Sequence, residues 1–201
     1  TNEIIPGYFR DNIATAKDEF GAKDITVLHP SSGRSTTANA LWLAHKFTQI
    51  YEKNNHRPLI VIGHSKGAVE SFMAAFVSDE VLLKVVAKFY FVPAPFEGTP
   101  LANLAVAACQ KNELIDHWFR FCGEGIESLT SEQAQKNMTE VVAGITPLQM
   151  EVSRRKMVLV QASQDEAHVI KVFQKTHRYL DALEGENDGL VALRDQEIAG
   201  F

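Results

Sequence analysis

Strands alternating with helices along the chain predict an α/β fold, a mainly parallel sheet with helices on both faces. Two observations carry this reading. Leu59-Ile60-Val61-Ile62 is apolar at every position, as a strand buried on both faces of a parallel sheet requires. Two later apolar runs, Phe89-Tyr90-Phe91-Val92 and Met157-Val158-Leu159-Val160-Gln161-Ala162, read as further strands separated by segments with helical spacing. With 201 residues, 45% of them hydrophobic and 22% charged, residues 1–201 are expected to form a single domain with a real core.

Residues 4–9 form a short apolar run broken by Pro6-Gly7, read as strand remnant and turn, and Arg10 to Phe20 as a helix stopped by Gly21. Asp24-Ile25-Thr26-Val27-Leu28 is β-branched and ends in His29-Pro30-Ser31-Ser32-Gly33, so a buried strand and its loop are expected. From Thr36 to Asn54 the apolar residues Ala40, Leu43, Ala44, Phe47, Ile50 and Tyr51 recur at helical spacing, with Ser35 or Thr36 available as cap. The strand at 59–62 runs straight into Gly63-His64-Ser65-Lys66-Gly67, and Ala68 to Ser78 then has helical spacing at Val69, Phe72, Met73 and Phe76. After the strand at 89–92, residues 93–100 form a proline-rich loop. Residues 101–153 hold short helices at 101–108, 113–121 and 131–142 and no strand, which predicts a helical, lid-like insertion over one end of the sheet. The last third reads as an amphipathic helix through Val169, Val172, Phe173 and Leu180, then a turn at 184–189, then Leu190-Val191.

A net charge of −5 offers no basic field for phosphate backbones, so neither nucleic acid nor an anionic membrane surface is an expected partner. No run approaches the roughly eighteen apolar residues of a membrane span, and residues 1–20 lack a signal-peptide core. The chain is expected to be soluble, either cytoplasmic or secreted with a signal outside these residues. Cys109 and Cys122 are too few for a disulfide framework and lack zinc spacing, while a single bridge between them is compatible with the count.

The chemistry concentrates in Gly63-His64-Ser65-Lys66-Gly67. Gly-X-Ser-X-Gly between an apolar strand and an amphipathic helix is the context of a nucleophile elbow, in which a strained turn exposes the serine hydroxyl above the sheet. A side chain at Gly63 or Gly67 is expected to collide with the neighbouring helix or strand. The helix opening at Lys66 brings its positive end and free N–H groups to where an oxyanion forms. A phosphate-binding loop is disfavoured, since Lys66 follows Ser65 in the wrong order.

A serine hydroxyl needs a base, and the base needs a carboxylate to orient it. Two acids follow strand exits after Ser65: Asp165 and Asp188, the latter in Asn-Asp-Gly. Of the seven histidines, His29 ends the 24–28 run at the sheet edge, while His168 and His177 follow Asp165; these three are the alternative bases within the chain. His45 and His56 suit a solvated helix face and helix end, His64 suits structural support in the elbow, and His117 belongs to the insertion.

Gly-His-Ser-Lys-Gly-Ala after a buried strand, Ala-Pro-Phe-Glu-Gly-Thr-Pro-Leu-Ala after the next, and Asn-Asp-Gly-Leu-Val near the end resemble bacterial-type triacylglycerol lipases and related esterases of the α/β-hydrolase fold, over most of residues 4–195. The resemblance implies Ser65 as nucleophile, Asp188 as triad acid in preference to Asp165, and the Lys66 N–H as one oxyanion donor. It implies a second donor from an early loop, for which Gly7 or Tyr8 is in the right chain order. It places the histidine beyond Phe201, so the domain is expected to be incomplete at one or both ends. It also gives the insertion the position of a lid, with Leu101, Leu104, Val106, Trp118, Phe119 and Phe121 suiting an acyl-chain pocket. The function so implied is carboxylic ester hydrolysis on a small-molecule ester or lipid through an acyl-enzyme, with no metal or organic cofactor. The alternatives are an inactive binding protein of the same fold and an acyltransferase using the same serine.

Overall fold

The computed structural model describes residues 10–19, 24–110, 122–169 and 171–198. Three strands, β1 (Leu59–His64), β2 (Val86–Val92) and β3 (Met157–Leu159), form one parallel sheet in the order β1-β2-β3. The register sets Val61 beside Phe89 and Gly63 beside Phe91, with Leu159 on the far side of Phe91. Side chains alternate across a sheet, so these residues share one face. That face carries the core. Phe89 and Phe91 are buried there with Phe72, whose ring meets Phe91 at 5.8 Å and Phe96 at 5.4 Å between centroids.

Before the sheet come α1 (Arg10–Asp18), which buries no residue, and α2 (Thr36–Lys53). Ser35 caps α2 by accepting from Ala38 N at 3.3 Å, and the helix buries Ala40, Leu43, Ala44, Phe47 and Tyr51, the stripe its spacing predicted. α3 (Lys66–Ala75) follows β1 directly and is buried from Ala68 onward. It ends sooner than the expected Ser78, and a buried π-helical turn at Val81–Val85 leads into β2, which begins three residues before the expected Phe89.

Between β2 and β3 lie α4 (Pro100–Gln110), α5 (Glu124–Glu127), α6 (Ser131–Gly144) and α7 (Pro147–Lys156). The helix expected at 113–121 lies outside the described residues. α7 was not anticipated, although its signals stand in the sequence: Thr146 and Gln149 form a capping box around a proline at the first turn. Cys109 at the end of α4 is disulfide-bonded to Cys122. After β3 come two 3-10 turns, Glu166–His168 and Lys171–Phe173, and α8 (Gln174–Glu184), so the expected amphipathic helix begins later than Val169.

Three strand expectations differ from the structure. Residues 24–28 are irregular, with Ile25 and Val27 37% and 39% exposed. A β-branched run becomes a strand only where a neighbour offers ladder partners, and no described strand pairs with this one. β1 is buried on one face only: Val61 is covered, while Ile60 and Ile62 are 69% and 71% exposed. The strand expected over 157–162 is regular only to Leu159; Val160 N still donates to Phe91 O at 2.8 Å.

Candidate functional site

β1 delivers the chain to Ser65, which caps α3 with φ 54° and ψ −131°. A left-handed conformation costs a non-glycine residue about 1–3 kcal/mol and persists only where surroundings enforce it. Here Ser65 N donates to both Val92 O and Pro93 O at 3.1 Å, locking the turn to the exit of β2. Gly63 makes the sharp turn feasible: a Cβ there would lie 2.7 Å from Ala68 Cα and 2.8 Å from Gly67 O, both backbone atoms that cannot step aside. The matching expectation for Gly67 is corrected. No described atom comes within 4 Å of a Cβ at Gly67, because that position faces outward from the first turn of α3.

Lys66 occupies the first helical position, where N–H groups have no intrahelical acceptor and the helix dipole is positive. Its side chain runs away from Ser65. The ammonium donates to Ser32 O at 3.3 Å and Arg34 O at 2.5 Å and lies 3.3 Å from Glu70 Oε1. Glu70, buried, also accepts from Asn39 Nδ2 at 2.7 Å, and the same Asn39 nitrogen donates to Ser31 O at 2.7 Å. Burial pushes the Glu70 carboxyl above its usual range, against the pull of Lys66 and Asn39. This network stitches the 31–34 loop to the elbow. Glu70 and Asn39 escaped sequence reasoning because a polar residue on a buried helix face leaves no periodic signal. His64 is partly buried in the elbow, and burial holds its pKa below the ordinary value.

Asp188 lies in the turn after α8, beyond the exit of β3. Its Oδ1 accepts from Leu190 N at 2.9 Å and Val191 N at 2.7 Å. Burial raises its pKa, and these backbone bonds and the His177 charge oppose the rise. The turn is pinned from several sides. Asn187, buried, donates to His177 O and Gly185 O and accepts from Gly189 N at 2.8 Å; Thr99 Oγ1 donates to Leu190 O at 3.0 Å. Gln164 N donates to Asn187 O at 2.9 Å, and the Gln196 amide pairs with Ala162 in both directions at 2.9 Å, continuing the line of β3 with a side chain in place of a strand. Ser65 and the Asp188 turn thus stand at the same, carboxyl edge of the parallel sheet, where open α/β sheets form their sites.

The other candidates are arranged differently. Asp165 is exposed at the start of a 3-10 turn, and His29 and His168 are exposed. His177 is buried with Nε2 2.7 Å from Gln164 O. Among the described residues no histidine donates to the Asp188 carboxyl. Gly7, Tyr8, His117, Trp118, Phe119 and Phe121 lie outside the described residues. Leu101 is buried, Leu104 is partly exposed, and Val106 lines a groove of about 400 Å³ whose walls include the polar Asn103, Glu127 and Gln133. Among the described residues no group of three or more histidine, cysteine, aspartate or glutamate side chains is arranged to hold a metal ion.

A parallel sheet flanked by helices, with a serine in a left-handed turn between β1 and α3, has the arrangement of an α/β-hydrolase fold. Solved structures bear this out. The mature form of the Bacillus licheniformis lipase BlEst2 matches with a TM-score of 0.61 and 19% identity, over 86% of this chain and 64% of that one. Its propeptide form matches with 0.62 and 20%, over 85% and 35%. The metagenomic carboxyl esterase MGS0156 matches with 0.62 and 18%, over 85% and 49%. The chain thus spans less than two thirds of the length of each. No protein-family model matches the sequence, and no curated protein matches it. No described helix is long and apolar enough to cross a membrane.

Proposed function

We propose that the protein is a carboxylic ester hydrolase, lipase-like, that works through an acyl-enzyme on Ser65. The left-handed backbone of Ser65 carries this reading: a turn that stores strain at a serine between a sheet and a helix N-terminus has a use for it. Ser65 Oγ attacks the ester carbonyl carbon as its proton passes to a histidine base oriented by Asp188. The tetrahedral oxygen takes up the negative charge, and the Lys66 N–H at the positive end of α3 stabilises it. Collapse expels the alcohol, which takes the proton from the base; water then repeats the sequence and frees the acid. The substrate is a small-molecule ester or lipid, and residues 101–153 act as a lid-like insertion within one hydrolase domain. No cofactor enters these steps.

The test is fluorophosphonate labelling of the 201-residue chain beside Ser65→Ala, with the modified peptide mapped by mass spectrometry. Adduct on Ser65 that the variant abolishes would show a nucleophile activated by a base within these 201 residues, against a histidine beyond Phe201, and His29→Ala, His168→Ala and His177→Ala then read which of the three serves. Hydrolysis of a short-chain ester that survives Ser65→Ala unchanged would overturn the assignment.

A further inference from the structure

Residues 125–131, where α5 passes into α6, touch both halves of the site. On one side lies the 31–34 loop that Lys66 ties to the elbow. A Cβ at Gly125 would overlap Ser32 O, the carbonyl that also accepts from Lys66 Nζ, so α5 approaches this loop more closely than any side chain permits. Ser128 is buried beside it. Its Oγ accepts from Thr36 N at 3.3 Å and donates to Gly125 O at 3.0 Å, while Asn137 Nδ2 donates to Thr36 Oγ1 at 3.3 Å. An N–H in the first turn of α2, which has no acceptor within its own helix, is thereby served from the insertion.

On the other side lies the Asp188 turn. Thr99, buried, donates twice: its N–H to Leu129 O at 3.0 Å and its hydroxyl to Leu190 O at 3.0 Å. Leu190 N in turn donates to Asp188 Oδ1. The neighbouring Gly98 is left-handed, and a Cβ there would lie 2.7 Å from Ser131 Cα, so backbone again meets backbone. Ser131 N donates to Asn103 Oδ1 at 3.0 Å, which holds the start of α6 to α4.

The helix that follows is part of the core. Met138 of α6 is buried in the same cluster as Phe72 and Phe89, and Ala134 is buried one turn earlier. An opening lid trades one set of contacts for another of similar energy. Lifting residues 125–138 would instead expose core side chains to water and strip the buried Thr36 N–H of its acceptor.

We propose that residues 125–131 are a fixed strut between the elbow loop and the Asp188 turn, with Gly125 and Thr99 as positioning residues. The insertion, lid-like in its place along the chain, does not swing, and the protein takes esters dissolved in water with no opening step at a lipid surface. The choice of dissolved esters rests on the ester-hydrolase reading; the strut does not.

Hydrogen exchange of the 201-residue chain, alone and with a tributyrin emulsion, is the first test. Amides of residues 124–142 should exchange no faster with the emulsion, and faster exchange there would reveal a lid and overturn the proposal. Two variants read the strut itself through the Leu190 and Val191 amides, which bind Asp188 Oδ1. Gly125→Ala favours a helix by propensity and lies across the strut from Asp188, so severalfold faster exchange at these amides reports transmission through residues 125–131. Thr99→Val should speed the same amides about fivefold, the effect of one lost hydrogen bond, and Thr99→Ser should restore them. Unchanged exchange at Leu190 and Val191 in either folded variant overturns the strut; should Gly125→Ala not fold, Thr99→Val and the emulsion still decide. Wild-type hydrolysis of tributyrin should follow a single saturation curve through the solubility limit, and a jump in rate at that limit overturns the fixed insertion. No hydrolysis at any concentration counts against the ester-hydrolase reading and leaves the exchange results standing.

Discussion

Ser65 and Gly63 divide the work of one turn. Ser65 takes the left-handed strain, repaid by two hydrogen bonds from its N–H to the exit of β2, while Gly63 lets α3 approach β1 more closely than any side chain permits. Gly63→Ala is therefore expected to destabilise the chain by roughly 1–3 kcal/mol, the range for overpacking against atoms that cannot yield. Gly67→Ala, with open space around its Cβ, should cost much less. Urea midpoints for the two variants decide the matter, and equal losses would contradict the geometry. The motif alone suggested symmetrical roles for the two glycines; the spacing of real atoms makes them unequal.

At the scale of elements, α3 supports more than the serine. Through Lys66, Glu70 and Asn39 it fastens the 31–34 loop to α2 and to the elbow, so the loop at the carboxyl edge is held without a strand of its own. Removing the ammonium with Lys66→Met leaves Glu70 buried with Asn39 alone. Its carboxyl, already raised by burial, rises further, and a group with a raised folded pKa loses its stabilising contribution as pH climbs through that value. The variant is expected to lose roughly 2 kcal/mol, more at about pH 8 than at about pH 5. Denaturant melts at both pH values check this; a loss independent of pH would mean that Glu70 is not the group responsible. The insertion has its own fastening in the disulfide between Cys109 and Cys122. The sequence left a single bridge between these two cysteines open, and the structure makes it.

In the whole molecule the sheet has two unequal faces. Phe89 and Phe91 are sealed beneath α3 with Phe72, whereas Ile60 and Ile62 of β1 stand 69% and 71% exposed. Phe91→Ala should cost roughly 3–5 kcal/mol as a core deletion, and Ile62→Ala less than about 1 kcal/mol. Unfolding midpoints measure both, and similar losses would show that the two faces share the core. Much of this molecule was readable along the chain. The α/β class, the extent of α2 and the sharp turn at Ser65 follow from local patterns, because helical spacing, caps, turn residues and a glycine-flanked serine act over a few positions at a time; spacing alone left Asp165 and Asp188 level, and only the resemblance to lipases preferred Asp188. Distant packing decided the rest. Whether residues 24–28 pair, whether Ile60 and Ile62 are covered, and that Glu70, Gln196 and Asp195 are buried in polar networks depend on which surfaces meet across long stretches of chain. A residue's burial is set by the partner that covers it, and no local pattern names that partner.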